Sequence, residues 1–90
     1  MARVFFSAPL KQFTNGLDSC EVGGNTVGEA ARQIGERFPL IKDKLLRDDG
    51  TLRAFFIIFV DDKDVRMLDR ELTPIGYESV IRIVPAIAGG

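Results

Sequence analysis

Between Thr26 and Pro39 runs the chain's one long stretch of helical spacing. Its apolar positions are Val27, Ala30, Ala31, Ile34 and Phe38, spaced by three, one, three and four. That spacing lines one face of an α-helix. Thr26-Val27-Gly28-Glu29 is a capping box at its start. The Thr26 hydroxyl can accept the Glu29 amide, and Glu29 can reach back to the Thr26 amide. Pro39 stops the run, since it has no amide and clashes with a preceding turn. Whatever else the chain forms must supply a surface that buries this stripe.

That surface is a sheet. Arg3 to Ser7 is β-branched and aromatic and reads as a strand. Asn15-Gly16 marks a hairpin turn, because both residues tolerate positive φ. Leu17 to Val22 returns, with Leu17, Ser19 and Glu21 on one face and Asp18, Cys20 and Val22 on the other. After the helix, Leu40 to Leu46 reads as a shorter helical turn closed by Asp48-Asp49-Gly50. Arg53 to Val60 is the strongest strand signal, apolar at every position from Ala54 onward. Asp61 to Asp64 is a turn, Val65 to Leu68 a short returning strand and Leu72 to Gly76 a tight loop. Val80 to Val84 is the last strand. The order β-β-α-β-β-β gives an α+β fold, with a mixed sheet of about five strands under one main helix. Ile34 and Phe38 then meet Val4, Phe6, Ile58, Val60, Ile81 and Ile83.

Strand alternation leaves a surplus on the far side of this sheet. Ile57 and Phe59 point outward if Ile58 and Val60 point inward. Val80, Arg82 and Val84 point outward if Ile81 and Ile83 point inward. Phe59, Ile57, Val80 and Val84, with Pro85 beside them, are the candidate partner-binding residues. Two alternatives stand beside that reading: the 40–46 segment covers this face, or a second copy of the chain does.

Ninety residues suffice for one domain. It is expected to span residues 1–85, with a flexible tail over 86–90. A net charge of −1 provides no electrostatic footprint for nucleic acid or an anionic membrane. Histidine is absent, which removes the commonest general base and metal ligand. Cys20 is the single cysteine, so no internal disulfide forms; it reads as a small packing residue, with a sulfur-holding role as its alternative. Asp61, Asp62 and Asp64 lack the calcium-loop register and read as solvated turn carboxylates. No metal site is expected. Lys42, Lys44 and Arg47 read as ordinary surface, and Asp69-Arg70-Glu71 as a solvated loop. The start Met1-Ala2-Arg3 leads straight into a strand pattern, and no apolar run is long enough for a bilayer. The expectation is a cytoplasmic protein.

The chemistry lies at the end of the sequence. Ile83-Val84-Pro85 passes into Ala86-Ile87-Ala88-Gly89-Gly90, which offers the carboxylate of Gly90 on a thin stalk that a narrow enzyme channel can admit. Ile87, Ala88 and Gly89 form the rest of the stalk. A carboxylate is inert until it gains a leaving group. An ATP-using partner can adenylate it, and a sulfur nucleophile can then replace AMP. Sulfur kept on the carbonyl makes a thiocarboxylate donor; transfer to an amine makes an isopeptide-linked tag. Neither route needs catalytic side chains on this chain, so it is read as a co-substrate and not an enzyme.

The chain resembles the ThiS/MoaD group of ubiquitin-like sulfur carriers, which have a β-grasp fold. The resemblance rests on Val4-Phe5-Phe6, Asn25-Thr26-Val27-Gly28-Glu29, the run from Phe59 to Arg66 and the ending Ile83 to Gly90. The Asp64-Val65-Arg66 run and the Pro-Ala-x-Ala-Gly-Gly ending look closest to the CysO-type carriers that feed a cysteine synthase. Molybdopterin-synthase small subunits usually carry two prolines before the tail, where this chain has Pro85 and then Ala86. The family often has Gly-Asp before the last strand; Glu78-Ser79 stands here, with Gly76 displaced. The resemblance implies activation of Gly90 by an E1-like adenylyltransferase of the ThiF/MoeB type. ATP is used by that partner, and no cofactor is bound by this chain. It further implies a sulfur-accepting enzyme such as a cysteine synthase, a molybdopterin synthase large subunit or a thiazole synthase, with a secondary metabolite as another destination of the sulfur. A metalloprotease that exposes or cleaves the tail completes the expected partners. It places Phe59 and Val84 on the face shown to partners. The alternative function is a protein modifier joined to lysines through Gly90.

Overall fold

The computed structural model describes residues 1–86. Five strands form one sheet in the order β2-β1-β5-β3-β4. They are β1 (Ala2–Phe6), β2 (Ser19–Val22), β3 (Phe56–Val60), β4 (Lys63–Asp64) and β5 (Val80–Pro85). β1 and β5 run parallel at the centre, and the other neighbours are antiparallel. Two helices, α1 (Val27–Arg37) and α2 (Pro39–Leu45), join β2 to β3. No helix among the described residues is long and apolar enough to cross a membrane.

α1 begins as its capping residues dictate. The Glu29 amide donates to the Thr26 hydroxyl at 3.2 Å. The return bond differs by one residue: Glu29 Oε1 accepts the Asn25 amide at 2.8 Å, not that of Thr26. Val27, Ala30, Ala31, Ile34 and Phe38 are all buried. Phe38 meets Phe6 edge to face, with ring centroids 5.8 Å apart. Val4, Phe6, Ile58, Val60, Ile81 and Ile83 complete the same core.

α2 is a full structural element. Pro39 ends α1 and also starts α2, where its missing amide costs nothing. Ile41 and Leu45 are buried in the core beside α1. A Cβ on Gly35 would lie 3.2 Å from Lys42 Cβ, so the two helices approach at a glycine. α2 thus lies on the helical side of the sheet and leaves the outer face uncovered.

Three other departures from the sequence reading have local causes. Between β1 and β2, residues Ala8–Phe13 form a 3₁₀ segment that seats Leu10 in the core before the turn. Asn15 and Gly16 turn the chain at φ of 56° and 80°. The strong apolar run becomes strand only from Phe56, not from Arg53. The Arg53 amide donates to Leu45 O at the end of α2, which draws this part of the run away from the sheet. The returning strand is Lys63–Asp64, after an Asp61-Asp62 turn with φ of 49° and 70°. Val65–Met67 is 3₁₀ rather than strand. Asp64 Oδ1 accepts the Arg66 amide at 2.9 Å, and this local bond competes with the ladder.

Candidate functional site: the outer sheet face and the chain's exit

Register sets what the outer face presents. One row across the sheet reads Ser19, Phe5, Arg82, Phe59 and Asp64. A second pairs Val84 with Ile57. A third reads Glu21, Arg3 and Val80. Ile57, Phe59 and Val84 therefore gather at the end of β5 from which the chain leaves. They are half-buried, since neighbouring side chains shield part of each. Val80 is more exposed but lies beyond Arg82, next to Arg3, so it is not contiguous with the other three. Pro85 alternates to the opposite side, across from Phe56, whose ring packs against the core.

Two residues that the sequence reading did not assign to a partner surface belong to this face. Phe5, 40% exposed, stands opposite Arg82 on β5. Alternation applied to β1 finds it, because Val4 and Phe6 point inward. Arg82 was read as outward and passed over as polar. It sits between Phe5 and Phe59 and pairs with Asp62 in the β3–β4 turn. That pair is exposed at both ends, so its role is to hold the guanidinium toward the turn rather than to add much stability. A shallow depression forms between Phe59, Asp62, Arg82 and Val84.

The chain leaves through a defined point. The Ala86 amide donates to Phe55 O at 2.9 Å, one residue past the β3–β5 ladder. Lys44 Nζ lies 5.5 Å from the Phe13 ring centroid and 5.7 Å from that of Phe55. The ammonium thus lies over both rings beside the carbonyl-bearing residue that meets Ala86. Ile87, Ala88, Gly89 and Gly90, the residues on which the terminal chemistry depends, lie outside the described residues.

The remaining candidates fall into structural places. Cys20 is buried on the core side of β2, and burial raises its thiol pKa above the ordinary value of 9.0. Asp61 accepts the Val80 amide at 3.0 Å. Asp62 and Asp64 face Arg82 and Arg66. No metal-binding cluster of acidic, cysteine or histidine residues occurs among the described residues.

The ThiS family profile matches residues 4–90. The sulfur carrier protein CysO of Mycobacterium tuberculosis (strain ATCC 25618 / H37Rv) is 31% identical over 83 residues, covering 90% of this chain and 89% of that protein. A chain of the Amycolatopsis orientalis BexX/CysO complex superposes with a TM-score of 0.87 at 30% identity over 100% of both chains. The small archaeal modifier protein 1 of Methanosarcina acetivorans shares the fold, with a TM-score of 0.85 at 20% identity over 99% of this chain and 95% of that one. A mixed sheet clasping a helix, matched along its whole length to these proteins, places the chain in the ThiS family of ubiquitin-like β-grasp proteins, alongside the CysO sulfur carriers.

Proposed function

We propose that this protein carries sulfur on its own terminal carboxylate. The carboxylate of Gly90 attacks the α-phosphorus of ATP held by an E1-like adenylyltransferase of the ThiF/MoeB type, and pyrophosphate leaves. Sulfide attacks the acyl carbon, AMP leaves, and the terminus becomes a thiocarboxylate. A biosynthetic partner then takes the sulfur. This chain binds no nucleotide and supplies no catalytic group; it is a co-substrate. Its domain over residues 1–85 docks, while the stalk over 86–90 reaches the partner's centre.

One observation carries the reading. The family match runs through Gly89 and Gly90, and the curated relatives aligned along the chain are sulfur carrier proteins. Ala86 leaves the sheet rim beside Ile57 and Val84, which supports the outer face as the surface a partner grips. The CysO of A. orientalis assembles with BexX, so a carrier of this kind engages another protein. The name shared by the curated relatives favours a cysteine-synthase-type acceptor over a molybdopterin or thiazole enzyme.

Intact-protein mass spectrometry tests this after incubation with ATP, sulfide and a ThiF/MoeB-type activator. The expected product is heavier by about 16 Da, oxygen replaced by sulfur. Lysine adducts bearing a Gly-Gly remnant, with no thiocarboxylate, would instead make the chain a protein modifier.

A further inference from the structure

The outer edge of β3 is open over half its length. β4 pairs only with Phe59 and Val60, so no strand lies beyond Phe56, Ile57 and Ile58 among the described residues. The backbone direction there follows from two bonds. Ala86 donates to Phe55 O, and Asp61 donates to Val80 O. Odd-numbered residues of β3 therefore bond toward β5. Antiparallel ladders alternate, so Phe56 and Ile58 turn their amides and carbonyls away from β5, toward the open edge.

A groove lies along that edge, walled by Arg47, Arg53, Arg66 and Arg70. No acidic residue lines it. Arg66 is held by Asp64 at 2.7 Å, but no ion pair forms at Arg47, Arg53 or Arg70 among the described residues. The Nε of Arg53 is buried with no hydrogen-bond partner. Such a group costs free energy until something accepts from it. Arg70 is held at a φ of 51°, a left-handed conformation that is strained for a residue with a side chain. In a chain of net charge −1, three guanidinium groups without a carboxylate partner line one groove. Of these, Arg47 Nη1 donates to Leu52 O at 2.8 Å and to Thr51 Oγ1 at 3.2 Å, which holds its side chain at the wall.

The geometry points to a docking groove for an extended acidic segment of a partner protein, laid along the free edge of β3 with its carboxylates on Arg47, Arg53 and Arg70. Three features choose this occupant. A free strand edge recognises extended backbone. Guanidinium forks match carboxylates two bonds at a time. The open space, about 110 Å³, falls below the roughly 300 Å³ at which small-molecule pockets begin. A nucleic acid is disfavoured because the chain has no net positive field. The groove shares Ile57 with the apolar corner of the outer face, so a partner seated on that corner can extend a segment along it. This inference does not depend on the terminal chemistry.

The test is an amide-resolved NMR titration of the full chain with a six-residue peptide of alternating glutamate and valine. The same peptide with lysine for glutamate, sodium pyrophosphate and a short DNA duplex serve as comparisons. Shifts are expected at Phe56, Ile58 and the Arg66–Arg70 segment with the acidic peptide alone, fading as salt is raised. The double variant R53Q/R70Q should weaken binding by about tenfold. Should that variant unfold, the exposed single change R70Q carries the test with a smaller loss. Equal response to the lysine peptide, or pyrophosphate or DNA binding as tightly as the acidic peptide, overturns the proposal, as does no shift with any probe. A chain lacking Gly89 and Gly90 should bind the peptide unchanged. Markedly tighter binding there would make the groove a seat for this chain's own terminus and would also overturn the proposal, as would loss of binding. None of these readouts involves thiocarboxylate, so the two readings fail separately.

Discussion

Asp64 shows how much one side chain can decide. It closes β4, caps the 3₁₀ turn that follows and grips Arg66 through both carboxylate oxygens. The hydrogen bond from the Arg66 side chain, with smaller help from its amide and charge, holds the Asp64 carboxyl below its ordinary 3.8. A depressed carboxyl pKa means that the unfolded chain takes up the proton first. The stabilisation is therefore complete above the ordinary value and drains as pH falls through the depressed one. Urea unfolding between about pH 2 and pH 5 should show a shallower acid slope for D64N than for the parent. Cys20 has the opposite sign. Burial raises its pKa above 9.0, so its contribution is complete below that value and is lost as alkaline pH rises through the raised one. Native Cys20 should resist iodoacetamide near neutral pH and react once the chain is unfolded. A thiol that reacted freely in the native state would contradict its place in the core. Spacing marks neither behaviour: the first needs a side chain to bond its own backbone, and the second needs the neighbours that desolvate a thiol.

Elements follow two different rules here. α1 is written locally, as stripe, cap and proline stop. T26A should cost about 1 kcal/mol in chemical denaturation. α2 is short and carries one exposed leucine, Leu40, among its charges. Its stability comes from Ile41 and Leu45 reaching the core. I41A should cost about 2–5 kcal/mol, while L40K should change stability by no more than about 0.5 kcal/mol. The same contrast applies to β3, whose two faces have different work. I58A removes a core side chain and should cost about 2–5 kcal/mol. F59S on the outer face should cost less, and should raise the KM for carrier in the activator's ATP–pyrophosphate exchange with kcat little changed. Equal destabilisation by the two would place both residues in the core and refute the outer-face assignment. β3 starts two residues later than its apolar run, because a strand's start is set by tertiary bonds as well as by pattern. Arg53 bonds to the end of α2 instead.

For the whole molecule, the proposed function assigns folding to one part of the chain and reaction to another. The core is closed by Ile81 and Ile83 on β5, ahead of Pro85 and the bond that holds Ala86. Deleting Gly90 should therefore leave the melting temperature unchanged within error and abolish the gain of about 16 Da. A large fall in melting temperature would show the end of the chain to be part of the core. Alternation and helical period by themselves determined the α+β class, the core contacts between α1 and the strands, and the inward or outward sense of β3 and β5, but not the places of Leu10, Ile41 and Leu45. Those are local rules of side-chain direction, and a short window of sequence contains them. The outer face was legible only in part. Ile57, Phe59 and Val84 come together as alternation implies, but Val80 is set apart by Arg82, and Phe5 joins from the other end of the chain. Which strands lie side by side, and in which register, is decided by packing over the whole sheet. Tertiary structure alone decided the parallel pairing of β1 with β5, the bond from Ala86 to Phe55 and the arginine groove at the free edge of β3. Each joins segments far apart in sequence, and no local pattern records such distances.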